Sequence, residues 1–321
     1  MIGKVDPDSL AALVLGRTGA PDDRVLQGPA YGEDTAAIAI EEGVLVVNAD
    51  PISMAVGRIG TLGVDVAAND VAASGADPEW LTSVILLPGD EAALDTVTAQ
   101  LDGAARRLGV AIVGGHSEFA PALESPMLVL TCFGLADRYV PTGGAEPGDR
   151  VVLTKGAGIE ATAILATDFR DRLEGRIPEA TLEAAEGFYD DVSVVPDAAV
   201  LREHANAMHD PTEGGLVDGL LELAVASGVR LDMDREAIPV REETRRLCAA
   251  MGVDPLRTFG SGSLLAAVPE GATEAALSDL EGAGIEAAVV GTVHGSDAPA
   301  LVLGGETFTE PVRDDMYALW E

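Results

Sequence analysis

Lysine is nearly absent: Lys4 and Lys155 are the only two, and 20 basic residues face 54 acidic ones, for a formal net charge of -34. The acid excess is spread along the 321-residue chain rather than gathered in a tail. With no basic patch to neutralise phosphates, nucleic acid is not an expected partner. A dispersed acidic surface of this kind fits high salt, where screening removes much of the self-repulsion; an ordinary acidic protein is the alternative. Cysteine is scarce too. Cys132 and Cys248 are too few and too far apart for a zinc motif or a disulfide framework, and read as core thiols. No apolar run reaches the roughly 18 residues of a membrane span, and no charged-then-apolar leader opens the chain. The expectation is a soluble, cytoplasmic protein with no membrane partner.

Hydrophobic residues make up 47% of the chain, enough for a large core and two domains. Strand and helix signals alternate throughout, which predicts α/β or α+β domains. The stretch from Pro141 to Asp149, rich in glycine and proline, reads as a boundary, giving domains over 1–145 and 146–321. In the first, helices are expected over 8–18, 56–73 and 91–108, and strands over 36–40, 44–48, 81–87, 110–113 and 127–136. The helix over 56–73 is built of small residues and carries only Arg58, Asp65 and Asp70 as charges, so it can be packed on most of its circumference.

Acids stand out where they interrupt uncharged sequence. Asp34 lies in Gly-Glu-Asp-Thr-Ala-Ala-Ile, Asp50 in Asn-Ala-Asp-Pro, and Asp70 in Ala-Ala-Asn-Asp-Val-Ala-Ala. Asp210 lies in His-Asp-Pro-Thr-Glu-Gly-Gly, and Glu118 in Gly-Gly-His-Ser-Glu. Unpaired buried carboxylates are costly, so such groups are normally paired, protonated or metal-bound. Together they point to a shared hard cation, the kind that escorts a phosphate. Asn69 is an amide neighbour for Asp70, and Glu33 reads as the solvated neighbour of Asp34. Taken singly, Asp34 is a loop cap, Asp50 a turn residue before proline, and Asp70 an exposed or N-cap residue.

Gly114 and Gly115 are expected to end a short strand in a turn that lets the backbone approach an anion, with His116 a structural histidine and Glu118 a further ligand. Thr212 can cap the helix that follows, whose N-terminal amides attract phosphate. Lys155-Gly156-Ala157-Gly158 lacks the spacing and ending of a phosphate loop, and there is neither a nucleophile elbow nor a zinc-binding His-Glu-x-x-His.

Four of these motifs occur in one order: Gly-Glu-Asp-Thr-Ala-Ala-Ile, Asn-Asp-Val-Ala-Ala-Ser-Gly-Ala-Asp-Pro, Gly-Gly-His-Ser-Glu and Asp-Pro-Thr-Glu-Gly-Gly-Leu. In that order they resemble the aminoimidazole ribonucleotide synthetase (PurM-like) superfamily, over about residues 28 to 270, and most of all the hydrogenase maturation factors of the HypE type and their archaeal relatives. The resemblance implies an N-terminal domain that pairs with a second copy to close an intersubunit β-barrel, and a C-terminal α+β domain that covers the nucleotide. It implies ATP and Mg2+ as cofactors. Asp34, Asp50, Asp70 and Asp210 would hold the metal. Asp34, Gly114, Gly115, His116, Glu118 and Thr212 would lie at the nucleotide. A mobile N-terminal segment makes Gly3 and Lys4 candidates for closing over phosphates.

The implied chemistry is phosphoryl transfer to a substrate oxygen on a small-molecule or protein-borne acceptor, with a maturation protein as a further partner. HypE-type members carry the acceptor group on a cysteine in a short C-terminal tail, whereas the last cysteine here is Cys248. A small-molecule kinase resembling thiamine-monophosphate kinase and a non-catalytic nucleotide-binding partner therefore stay open as alternatives.

Overall fold

The structure, a computed structural model, describes residues 4–89 and 91–321. Gly3 lies outside the described residues. Strands β1 (Val25–Gln27), β2 (Ala36–Ile40), β3 (Gly43–Val47), β4 (Asp50–Ile52), β5 (Asp77–Leu87), β6 (Ala111–Phe119) and β7 (Met127–Ala136) make the first sheet, in the order β1-β2-β3-β7-β5-β6. β4 pairs with β7 beyond the end of β3, and only β5 and β6 run parallel. Parallel neighbours need a crossover. It is supplied by a helix over Glu91–Leu108, numbered α3 below.

Helices α1 (Pro7–Leu10), α2 (Ile59–Ala73) and α3 (Glu91–Leu108) accompany this sheet. α1 is a single turn, extended by a π-helical turn over Ala11–Leu15. It is shorter than the helix expected over 8–18, because Leu13 and Val14 find no surface to pack on and stay exposed. In α2 every residue but Thr61 is buried. Its Val64, Ala67, Ala68 and Val71 pack with Leu81, Ile85, Leu128 and Leu130 of the sheet and with Val97 and Leu101 of α3. Burial on all sides is what a helix with small residues all round permits. Asp65 survives there because Arg107 of α3 grips both its oxygens at 2.7 Å.

The strand expected over 110–113 continues to Phe119, so Gly114–Glu118 form strand rather than a turn. The reason is steric. Gly115 adopts φ 150°, and a Cβ there would sit 2.0 Å from the Ser83 carbonyl oxygen, so its lack of a side chain lets β6 stay against β5.

The second sheet comprises β8 (Arg150–Thr154), β9 (Ala207–His209), β10 (Val229–Met233), β11 (Leu265–Val268), β12 (Ala287–Gly295), β13 (Ala300–Leu303) and β14 (Glu306–Phe308), in the order β14-β13-β10-β12-β8-β11-β9. Its helices are α4 (Ile159–Thr167), α5 (Arg170–Leu173), α6 (Glu179–Glu186), α7 (Val195–Leu201), α8 (Gly215–Ser227), α9 (Glu242–Met251) and α10 (Thr273–Gly282). α8 covers one face through Leu216, Leu220 and Leu223. α7 and α10 cover the other, where Ala72 and Ala73 of α2 join the same core. A further cluster joins Leu62 and Val66 of α2 to Ile159 and Ile164 of α4. The fold is a two-domain, mixed α/β arrangement of the PurM-like type. No described helix is long and apolar enough to cross a membrane.

Candidate functional site

Four chain segments converge between the two sheets. Asp34 lies just before β2, Asp50 opens β4, Asp70 sits in the last turn of α2, and Asp210 follows β9. Carboxylate oxygens of Asp34, Asp70 and Asp210 lie within 4.8 Å of one another. Asp50 joins them through Asn48, whose side-chain amide donates to Asp70 Oδ2 at 2.7 Å and to Asp50 Oδ2 at 3.4 Å. The Asn48 carbonyl in turn accepts the Cys132 N–H at 2.9 Å, which pins the amide to β7.

His209 offsets only part of this charge, from the Asp34 side. Asp70 and Asp210 are 3% and 2% exposed. Burial, then the charges of Asp50 and Asp210, hold the Asp70 carboxyl well above the ordinary carboxylate range. Burial, then Asp34, pushes Asp210 up to about 8. Asp210 Oδ2 is buried without a hydrogen-bond partner. Oxygens gathered around one hard divalent cation at about 2.0–2.6 Å lie roughly 3–5 Å apart. The donor set is all oxygen, and its geometry fits such an ion.

A positive charge stands one layer back. His209 is buried, with Nε2 3.0 Å from Glu222 Oε2 and Nδ1 3.5 Å from Asp34 Oδ2. Burial alone would lower its pKa, but the Glu222 hydrogen bond and the Asp34 charge outweigh it and raise the imidazole to about 9. Glu222 is opposed by burial, yet Lys4 and His209 draw it down to about 2. Lys4 Nζ closes the chain at 3.1 Å from Glu222 Oε1. His209 and Glu222 thus hold Asp34 in place.

Asp34, Asp50 and Asp70 line a cavity of about 470 Å³, as do Lys4 and Thr212. Thr212 does not cap α8 with its side chain. The cap position is Gly214, in the left-handed conformation, and its N–H goes to Asp314 Oδ2 at 2.8 Å. The next residue, Gly215, has φ 64° and would place a Cβ 2.4 Å from the Thr258 carbonyl oxygen, so the turn is built on close backbone approach. Thr212 contributes its own carbonyl, which accepts the N–H groups of Gly215 and Gly260.

Two neighbours differ from expectation. The Asn69 amide turns away from the acids, donating to the Val192 carbonyl at 2.9 Å and accepting the Val194 N–H at 2.7 Å, and so ties α2 to the second domain. Glu33 is half-buried and hydrogen-bonded rather than a free, solvated neighbour. It accepts the Gly143 N–H at 3.0 Å and the Tyr139 hydroxyl at 3.0 Å, anchoring the Asp34 loop to the chain that leads into β8. None of Gly114, Gly115, His116 and Glu118 lines the cavity. They lie on the exposed edge strand β6, where His116 Nε2 is 3.3 Å from Glu118 Oε2.

The sequence matches the AIR synthase related protein N-terminal domain over residues 32–136 and the C-terminal domain over 146–304. The chain belongs to the AIR synthase related family. Among relatives of this AIR synthase related protein, the carbamoyl dehydratase HypE of Cupriavidus necator is 33% identical over 278 residues, spanning 82% of this chain and 77% of that one. A crystal structure of the hydrogenase maturation protein HypE in complex with ATP aligns with a TM-score of 0.66 at 25% identity, over 94% of this chain and 90% of that one. A HypE–HypF complex shares the fold at TM-score 0.74 and 24% identity, over 88% and 94% of the two chains.

Asn48, His209, Glu222 and Glu160 are the site residues that motif reading passed over. Glu160 lines the cavity from α4. Glu222 and Glu160 interrupt the uncharged runs Gly-Leu-Leu-Glu-Leu-Ala-Val and Gly-Ile-Glu-Ala-Thr-Ala-Ile, the pattern that marks Asp70.

Proposed function

We propose that this protein binds Mg2+ and ATP in the cavity and transfers the γ-phosphoryl group to an oxygen of an acceptor, as an enzyme of the HypE kind. The observation that carries the reading is the cluster of Asp34, Asp70 and Asp210, whose charge His209 offsets only in part. Asp34, Asp50, Asp70 and Asp210 would hold the metal, with Asn48 and His209 fixing their orientation. When bound, Mg2+–ATP supplies an electrophilic phosphorus and ADP as leaving group. The chain's own part is positioning and electrostatics. Neither thiol serves as nucleophile: Cys132 and Cys248 are fully buried, and burial pushes both up to about 12.

The name carbamoyl dehydratase fits this chemistry. A carbamoyl oxygen that bonds to the γ-phosphorus, as the bond to the β–γ bridging oxygen breaks, becomes a phosphate leaving group. Its departure with two protons from nitrogen removes the elements of water. Among the described residues lining the cavity Lys4 is the only basic one, and Glu222 pairs with it, so a phosphorylated acceptor, as the kinase alternative needs, would have to be held through the metal. Turnover tests the reading: ADP release that needs both Mg2+ and a carbamoyl-bearing acceptor supports it. Binding of nucleotide with no transfer to any carbamoyl, hydroxyl or phosphate acceptor would leave a binding partner instead.

Pairing with a second copy belongs to the same reading. The sheet face away from α2 carries Trp80, Val84, Leu86, Val129 and Phe133, all half-buried, and the β6 edge beside it exposes Val113 and Phe119. Closing that face against its twin would form the intersubunit barrel and bury Gly114–Glu118 at the interface. A second, protein partner of the maturation kind is part of the same proposal. Light scattering in molar salt decides the pairing: a mass near twice 32.9 kDa is expected, and a monomer at micromolar concentration contradicts it.

A further inference from the structure

The acid cluster accounts for only part of the cavity's lining, and the rest forms a second end. Its walls are apolar, with Ile52 and Met54 from the first domain and Ile164 and Phe259 from the second. Set into them are Glu160 of α4, Glu213 of the turn before α8, and Ser261. Glu160 is 7% exposed and Ser261 1%. Glu160 Oε2 accepts the Ser261 backbone N–H at 3.2 Å, and the Ser261 side chain also lies beside the carboxyl. Among the described residues neither Glu160 nor Glu213 has an ion-pair partner. Burial pushes the Glu160 carboxyl up to about 7. The Ser261 hydroxyl is buried beside the Glu160 carboxyl and makes no well-formed hydrogen bond.

Such a lining is costly without a ligand. A buried carboxylate lacking a counter-charge, beside a poorly bonded hydroxyl, loses solvation that the chain returns only in part. A ligand that brings positive N–H donors returns it, and an anionic ligand makes it worse. The apolar walls ask for a compact hydrophobic body next to those donors.

We infer that this end of the cavity is the acceptor subsite, and that it takes a compact apolar molecule bearing a cationic nitrogen group, an amidinium or ammonium, held between Glu160 and Glu213 with Ser261 as a further hydrogen-bond partner. The word acceptor rests on the phosphoryl-transfer reading; the binding preference stands without it. The subsite would lie in the same cavity as the acid cluster, so the ligand's reacting oxygen faces the metal while its nitrogen faces Glu160.

Calorimetry on the full chain tests this with three probes of one shape and different charge: benzamidine, benzamide and benzoate. Each is titrated with and without Mg2+ and a non-hydrolysable ATP analogue. Benzamidine is expected to bind at least tenfold more tightly than benzamide, with no binding of benzoate. Glu160→Gln should weaken benzamidine about tenfold and leave benzamide unchanged; Ser261→Ala, which leaves the charge in place, should weaken benzamidine severalfold. Equal binding of the three probes, a preference for benzoate, or benzamidine binding indifferent to both substitutions overturns the inference. Benzamidine binding in a protein that ignores the ATP analogue overturns the phosphoryl-transfer reading alone. Nucleotide binding in a protein that ignores benzamidine overturns the subsite alone.

Discussion

Asp70 shows what a single residue does here. Its carboxyl sits in the last turn of an almost fully buried helix, receives one amide from Asn48, and faces Asp50 and Asp210 with no cation in contact. In the metal-free protein it is a source of strain. Asp70→Asn removes the charge and is expected to stabilise the metal-free protein by about 1 kcal/mol. In excess Mg2+ the order should reverse, because only the wild type gains binding energy from the ion. Urea denaturation with and without Mg2+ reads both effects, and an Asp70→Asn protein less stable than wild type in both conditions contradicts this role. Asp50 and Asp70 stand out in the sequence as acids in uncharged stretches, and Asp34 and Asp210 by the motifs around them. The roles of Asn48, His209 and Glu222 do not show there, since they lie in partners remote along the chain: Glu222 meets Lys4 across 218 positions. The acid-in-apolar-run pattern extends to Glu160 and Glu222 as candidates, but does not carry the partners that give Glu222 its role.

At the scale of elements, the pattern of β6 was half legible. Its start follows from Ala111–Val113, but the glycines that look like a turn instead let the strand continue. Pairing of Gly115 with Ser83 lies in a β-bulged register between β5 and β6, which no local signal encodes. Gly115→Ala is expected to cost about 2 kcal/mol or more, since its Cβ meets backbone that cannot move aside. Amide exchange over 111–119 should quicken in the same variant. A neutral substitution with unchanged exchange would mean that the glycine is kept for a ligand rather than for packing. The α8 start was misread for a related reason. Thr212 precedes a helix, as a cap would, but the cap position is a left-handed glycine served by Asp314, 100 residues away.

The whole molecule combines a strongly acidic surface with several buried acids, and these respond to pH in one direction. Burial raises Asp65 to about 6, Glu160 and Asp314 to about 7, and Asp210 to about 8. Carboxyls raised in the folded state favour folding below their unfolded values, near 4, and that advantage is lost as pH rises through their folded values. His209, raised to about 9, loses its contribution over the same upper range. Glu222 acts oppositely, but only as pH falls below about 4.5 towards 2. In molar salt, where surface repulsion is screened, the metal-free protein should therefore lose stability steadily from about pH 5 to pH 9. Mg2+ should flatten that slope by taking over the charge of the Asp210 cluster. A profile that rises over this range contradicts the assignment of these groups.

The central claim is a metal-dependent nucleotide site made by Asp34, Asp50, Asp70 and Asp210. Calorimetry with a non-hydrolysable ATP analogue in molar salt measures it directly. The account predicts binding that needs Mg2+ and that weakens at least tenfold in Asp70→Asn. Equal affinity with Mg2+ and with chelator, or an Asp70→Asn protein that binds as wild type does, would contradict it.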